Sequence, residues 1–388
     1  MKAVIGSAVL AAFRFLLGGC SAQTTELTPS PTTTPGADES TTVSVELSDD
    51  GITADGQALS AQSEGPVQVG QPLYNYNAAS EGSSATAVII TQPGTYRLSG
   101  TLSDGQVAVD LGAEALDDPT AVVTLILDGV DITCSSAPAL VFSQVYECAD
   151  TQAKITAAQV DTSTAGARLV LTDGSENALT STSAGAEGAL TTAVSLNLSG
   201  QETGDGLLSV TSSSTDISGA VHLTLNGGRL MVQAQGAALQ VQEEALSVIT
   251  INDGKYFLNG GLSGTGDGAA SQGYLVVNGG EVVALAAGQG LSATSGLQIQ
   301  GGSVLALGST VGPVDPGSRQ AVLEWTFPQQ QNLGAALAIE SGSGETLLPY
   351  TTQRPCSALL YSAPELTDSA SCTVTVNGNA LGSANAAE

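Results

Sequence analysis

Three neighbouring carboxylate pairs, Asp49-Asp50, Asp117-Asp118 and Glu243-Glu244, are the first residues of this chain that could do chemistry. Glycoside hydrolysis uses two carboxylates that flank the scissile bond, one of them with a raised pKa. These pairs fall where turns or strand ends are expected, and solvated turn acids do not acquire that property. Elimination from a uronate needs a base, usually Lys or Arg, to take a proton α to a carboxylate. Beyond the first 20 residues only Lys154 and Lys255 are lysines, and neither stands in an acidic cluster. His222, the only histidine, sits between Val221 and Leu223 in the outward phase of a strand pattern, and reads as an exposed residue with no Ser or Asp partner in view. Calcium takes six to eight oxygens, several of them carboxylate. The loops around Glu243, Glu244, Asp253 and Asp267 are the candidates to supply them.

The charge balance narrows the partners. Acidic residues number 37 against 9 basic ones, for a net charge of −28. Nucleic acid is excluded, because its binding rests on basic contacts to phosphate. Divalent cations are attracted. Lys2, an apolar run and Leu17-Gly18-Gly19-Cys20 read as an export signal over residues 1–19, too short for a spanning helix. The L-G-G-C sequence resembles a bacterial lipobox, which implies lipid on Cys20 and a place on the outer face of the cell membrane. A Thr/Pro-rich stretch, 20–42, follows as a flexible tether. Outside the cell, Cys134, Cys148, Cys356 and Cys372 permit two disulfides. Nearest pairing gives Cys134–Cys148 and Cys356–Cys372, one of three possible connectivities.

The elements that must position these residues are short strands. Leu223-Thr-Leu-Asn-Gly-Gly228, Ile249-Thr-Ile-Asn-Asp-Gly254, Leu275-Val-Val-Asn-Gly-Gly280 and Leu297-Gln-Ile-Gln-Gly-Gly302 align with their fourth residues at 226, 252, 278 and 300. Aliphatic columns lie on both sides of this turn: Leu223, Ile249, Leu275 and Leu297 before it, and Leu230, Tyr256, Val282 and Val304 after it. The column Arg229, Lys255, Glu281, Ser303 between them is polar. Alternation of period two on each side of a tight turn is strand, turn, strand. A repeat of this length cannot bury its own apolar face, so equivalent strands must stack. The expected fold is an all-β parallel β-helix over 43–312, its body a rod on the order of 45 Å long. Glycine supplies the positive φ of each corner, and Asn can bond to the next Asn in the stack. Residues 313–388 lose the repeat and read as a β-rich C-terminal cap over an otherwise open end.

Three further segments carry a family resemblance: Gly94-Thr-Tyr-Arg-Leu-Ser-Gly-Thr-Leu-Ser-Asp-Gly-Gln106, Leu125-Ile-Leu-Asp-Gly-Val-Asp-Ile-Thr133 and Asp173-Gly-Ser-Glu-Asn-Ala-Leu179. Together with Tyr361-Ser-Ala-Pro-Glu-Leu-Thr367 they resemble bacterial carbohydrate-binding surface proteins built on a right-handed, single-stranded parallel β-helix, related in shape to pectate lyases. The resemblance runs from about residue 43 to 380. It implies a polysaccharide ligand of acidic, pectic type and bound Ca2+. Gly266-Asp267-Gly268 keeps an acid that family coils often carry; Gln289 replaces it in the next coil, and Asp216-Ile217 keeps part of the pattern. The motifs of β-helical polygalacturonases (N-x-D, D-D, G-H-G, R-x-K) are absent.

The expectation is therefore a non-catalytic, lipid-anchored polysaccharide binder. Arg229 and Lys255, adjacent in one outward column, are the candidate contacts to uronate or hydroxyl oxygens. The competing expectations are an adhesin or stalk for a protein partner, and a weak polysaccharide lyase.

Overall fold

Alternation decides the local structure, and register turns it into a core. The computed structural model describes residues 42–74, 85–183 and 188–387. The export signal, Cys20 and the tether up to residue 41 lie outside the described residues. In the first of three parallel ladders, strands Ala167–Leu171, Leu196–Gly200, His222–Leu225, Val248–Ile251, Tyr274–Val277 and Gly296–Ile299 pair one upon the next. Leu223, Ile249, Leu275 and Leu297 are successive register partners there, as their spacing requires. A second ladder stacks Glu176–Ser181, Leu207–Ser212, Arg229–Ala234, Lys255–Asn259, Glu281–Leu285 and Ser303–Gly308. A third stacks Leu140–Gln144 and then the three-residue strands Leu190–Thr192, Ile217–Gly219, Leu239–Val241, Ala269–Ser271 and Leu291–Ala293. Each pass of the chain visits the three ladders in turn.

The inward columns of all three ladders merge into one apolar core that runs from Val45 to Val322 and is joined by Leu360 of the C-terminal residues. Full burial of an aliphatic side chain contributes about 1.5–3 kcal/mol, so these columns dominate the stability of the stack. At the corner between the first two ladders, Asn252 donates to Asn226 Oδ1 at 2.7 Å and Asn278 donates to Asn252 Oδ1 at 2.8 Å. The next corner residue, Gly280, has φ +80°, and a Cβ there would meet the Gly254 carbonyl oxygen at 2.8 Å. Only glycine lets successive corners approach this closely.

The C-terminal residues close the stack and also lie along its side. Strand Cys356–Ser362 runs antiparallel to the last second-ladder strand, Ser303–Gly308, and to Leu323–Gln331. A four-stranded antiparallel sheet, Ala336–Ser341, Thr346–Thr351, Ser371–Val376 and Asn379–Asn385, completes the unit. Its core takes in Phe257, Val283 and Leu305, outward residues of the second ladder. No helix among the described residues is long and apolar enough to cross a membrane.

Candidate functional site

The outward columns of the ladders are where a ligand would meet side chains. Arg229, Lys255 and Glu281 are consecutive register partners in the second ladder, as predicted. Their charges answer one another. Lys255 Nζ lies 3.1 Å from Glu281 Oε1. The Asp205 carboxyl is held below its usual range mainly by the Thr203 hydroxyl and the Gly174 N–H, with a smaller contribution from the Arg229 charge. Other cations are engaged as well: Arg97 with Asp128 at 3.1 Å, and Arg354 with Asn259 Oδ1 and the carbonyls of Gly260 and Gly261.

A different surface is more open. On the third ladder, Thr191 and Ser218 are register partners in the outward phase. They line a groove of about 380 Å3 with Tyr74, Thr192, Ala193, Gly219, Ala220, Gln242 and Glu243. Tyr74 is set beside the ladder by its neighbour: Leu73 N–H donates to Gln106 Oε1 at 2.7 Å, and Gln106 Nε2 donates back to the Leu73 carbonyl at 3.0 Å. Its hydroxyl is 3.2 Å from Ser143 Oγ, and the residue remains 45% exposed. Gln242 Nε2 donates to Ser218 Oγ at 3.3 Å. Thr191 Oγ1 is buried and has no hydrogen-bond partner among the described residues. No lysine or arginine lines the groove. Of these residues sequence reasoning singled out Glu243 alone, as a metal ligand. Thr191 and Ser218 stand in three-residue strands too short to show alternation.

Residues 84–322, which span the stacked strands, match the family described as carbohydrate-binding domain-containing proteins. The chain belongs to that family. No curated protein matches it. Among solved structures, the chain is similar to the polysaccharide lyase-like protein from C. thermocellum, solved as a gadolinium derivative. Identity is 19%, coverage 71% of this chain and 92% of that one, and the TM-score 0.44.

Within this carbohydrate-binding domain and its C-terminal unit, the predicted chemistry does not assemble. Among the described residues no three His, Cys, Asp or Glu side chains come together as a metal site, and so Glu243, Glu244, Asp253 and Asp267 do not gather into one. Asp267 instead ties two coils: Oδ1 accepts the Gln289 N–H at 2.7 Å and Oδ2 accepts the Ser292 hydroxyl at 2.8 Å. Asp253 accepts the Gly254 N–H at 2.8 Å. The described residues thus form no cluster of three or more carboxylates for calcium. The carboxylate pairs are exposed: Asp49-Asp50 and Glu243-Glu244 lie in turns and bends, and Asp117-Asp118 closes the short 3-10 helix Ala113–Asp117. Hydrogen bonds from Ser103 and from Thr120 lower the pKa of Asp49 and Asp118, the opposite of what a catalytic acid needs.

Two expectations are overturned. His222 is not an exposed strand residue; it is buried, and its Nδ1 accepts the Val248 N–H at 3.0 Å. Its phase is outward, but the segment carrying the short helix Ala149–Gln152 lies over this part of the first ladder. Thr162 there meets Thr224 at 2.7 Å, and Glu147 accepts the Ser195 N–H at 2.8 Å. The expected disulfide partners Cys134, Cys148, Cys356 and Cys372 are all free and buried. Cys134 joins the apolar core at the end of a strand, whereas Cys148 heads the covering helix, its Sγ 3.2 Å from Thr151 Oγ1. Cys356 and Cys372 belong to different sheets of the C-terminal unit. Burial raises all four thiol pKa values, that of Cys356 to about 11, so they are inert as nucleophiles.

Proposed function

We propose that this protein binds polysaccharide without cleaving it, at the outer face of a bacterial cell membrane, held there by lipid on Cys20. In this reading the stacked strands wind as a right-handed parallel β-helix whose outward columns face the glycan. The observation that carries it is the family match over residues 84–322, the same residues that form the three ladders. The exposed carboxylate pairs and buried thiols support binding over catalysis. Glycans of two classes fit the family. An acidic, pectic polymer would draw on Arg229, Lys255 and calcium shared between protein and polymer. A neutral polymer needs hydroxyl partners and an exposed ring.

The test is a polysaccharide array probed with the full chain, with and without calcium. Retention on at least one polysaccharide, with no unsaturated uronate ends released, is expected. Silence across plant, fungal and bacterial polysaccharides would remove the reading. Release of unsaturated ends would replace it with a lyase.

A further inference from the structure

We propose that the third-ladder groove is the sugar subsite, and that it takes neutral, hydroxyl-rich glycan in preference to uronate polymers. The inference deepens the polysaccharide-binding reading and rests on it.

Four features of the groove converge on this ligand. Tyr74 offers a part-exposed ring beside a polar wall, the arrangement on which the C–H face of a hexose or pentose stacks. Thr191 Oγ1 is a buried hydroxyl with no partner among the described residues, although Thr191 is only 8% exposed. A buried hydroxyl without a hydrogen bond costs about 1–3 kcal/mol by mutational measures. A sugar hydroxyl that reaches Thr191 Oγ1, by a small shift of the atoms covering it or a turn of the Thr191 side chain, removes that cost. Ser218 and Gln242 form a single hydrogen bond at 3.3 Å, which leaves the Gln242 carbonyl oxygen and the Ser218 proton for a ligand. Glu243 adds an exposed carboxylate on the rim, a strong acceptor for sugar hydroxyls.

The same inventory disfavours uronates. A glycan carboxylate in this groove meets Glu243 and no cation, on a protein of net charge −28. In the second-ladder column, where a uronate would find cations, the Lys255 ammonium is already 3.1 Å from the Glu281 carboxylate. The volume of about 380 Å3 lies in the range of pockets that hold small ligands, so it suits one or two sugar residues of a chain that continues over the surface.

Affinity electrophoresis of the full chain through xylan, mannan, mixed-linkage glucan and polygalacturonate tests this directly. Retardation by at least one neutral polymer and weaker retardation by polygalacturonate are expected. Tyr74→Ala and Thr191→Val should each weaken neutral-polymer binding about tenfold, which is ~1.4 kcal/mol. Thr191→Val preserves shape, and unchanged thermal melting of that variant separates lost binding from lost folding. Glu243→Gln should raise affinity for polygalacturonate. Polygalacturonate held most tightly, and lost in the Arg229→Ser/Lys255→Ser double variant, would overturn the groove and leave polysaccharide binding standing. Neutral-polymer binding untouched by both groove variants would do the same. Failure to bind any of the four polymers, with none retained on the wider array, would sink the parent reading instead.

Discussion

Asp216 stands at the entry to the third-ladder strand Ile217–Gly219, fully buried, and among the described residues neither carboxylate oxygen has a partner at full hydrogen-bond geometry, although Ser212 and the Gln233 N–H lie near enough to oppose part of the burial effect. The nearby Ser212 hydroxyl donates instead to the Thr215 carbonyl at 2.6 Å. Burial pushes the Asp216 pKa up to about 7. His222, one ladder further along the chain, moves the other way. Burial pushes its pKa down to about 4, against the opposing pull of Glu147 and Asp150. The two carry linked and opposite consequences. A carboxyl raised in the folded state contributes stability below its unfolded pKa and loses it as pH rises through 7. An imidazole lowered in the folded state contributes stability above 6.5 and loses it as pH falls through 4. Each effect is on the order of 3–4 kcal/mol across its window, so between pH 4 and 7 they largely cancel. Asp216→Asn should expose the histidine term: the variant gains stability over the parent at pH 7 and loses that gain toward pH 4. His222→Gln should show the mirror slope. Urea midpoints compared between variant and parent at pH 4, 5, 6 and 7 check this, because the many surface acids cancel in the difference. Parallel pH profiles for all three chains would contradict both assignments.

At the scale of elements, the corner between the first and second ladders combines two devices of unequal weight. The Asn226–Asn252–Asn278 chain is exposed, so each bond is exchanged against water, and Asn252→Ala should cost about 1 kcal/mol. Gly280→Ala places a Cβ against the Gly254 carbonyl oxygen and the Asp253–Gly254 peptide of the preceding corner, in a left-handed conformation. It should cost more than about 2 kcal/mol. Chemical denaturation ranks the pair, and the reverse order would mean that the corners carry less strain than their spacing implies. Both devices were legible in the sequence, because Leu223, Leu225, Leu230 and their partners repeat in fixed phase with the Asn and Gly between them. What stayed hidden depended on a covering layer. His222 is in the outward phase that alternation assigned it, and only the 145–162 segment, from a coil two passes earlier, buries it. The third-ladder strands that carry Thr191 and Ser218 hold three residues each, so these two gave no periodic signal, and the groove they line is not legible in the sequence. The cysteines pair well by spacing yet are free: Cys134 lies in the core of the stack and Cys148 in the covering segment, while Cys356 and Cys372 share the C-terminal core on different sheets, none of which spacing encodes.

The whole molecule has a stack to protect at both ends and along one side. At the N-terminal end, Thr42–Leu47 pairs parallel with Gly94–Leu102, and the turn-back to Thr53–Ala54 and Gln57–Ala58 covers its free edge. At the other end the edge of Ser303–Gly308 is occupied by Cys356–Ser362. The side needs covering because the outward column of the second ladder turns apolar at Met231, Phe257, Val283 and Leu305, a sign of burial that alternation alone does display. The C-terminal unit buries this column, and Arg354 fastens it by donating to Asn259 Oδ1 at 2.9 Å and to the Gly261 carbonyl at 3.1 Å. Removing residues 313–388 therefore uncovers two things at once: an unpaired strand edge and an apolar stripe. Unpaired edges seek strands of another molecule, and contiguous apolar patches associate. A chain of residues 43–312 should self-associate in light scattering at concentrations where the chain of 43–388 is monodisperse. Adding Phe257→Ser and Leu305→Ser to the short chain separates the causes, since it removes the stripe and keeps the edge. Restored monodispersity assigns the association to the side; persistence assigns it to the end. A short chain that stays monodisperse and melts with the long one would show that the C-terminal unit covers nothing the stack needs covered.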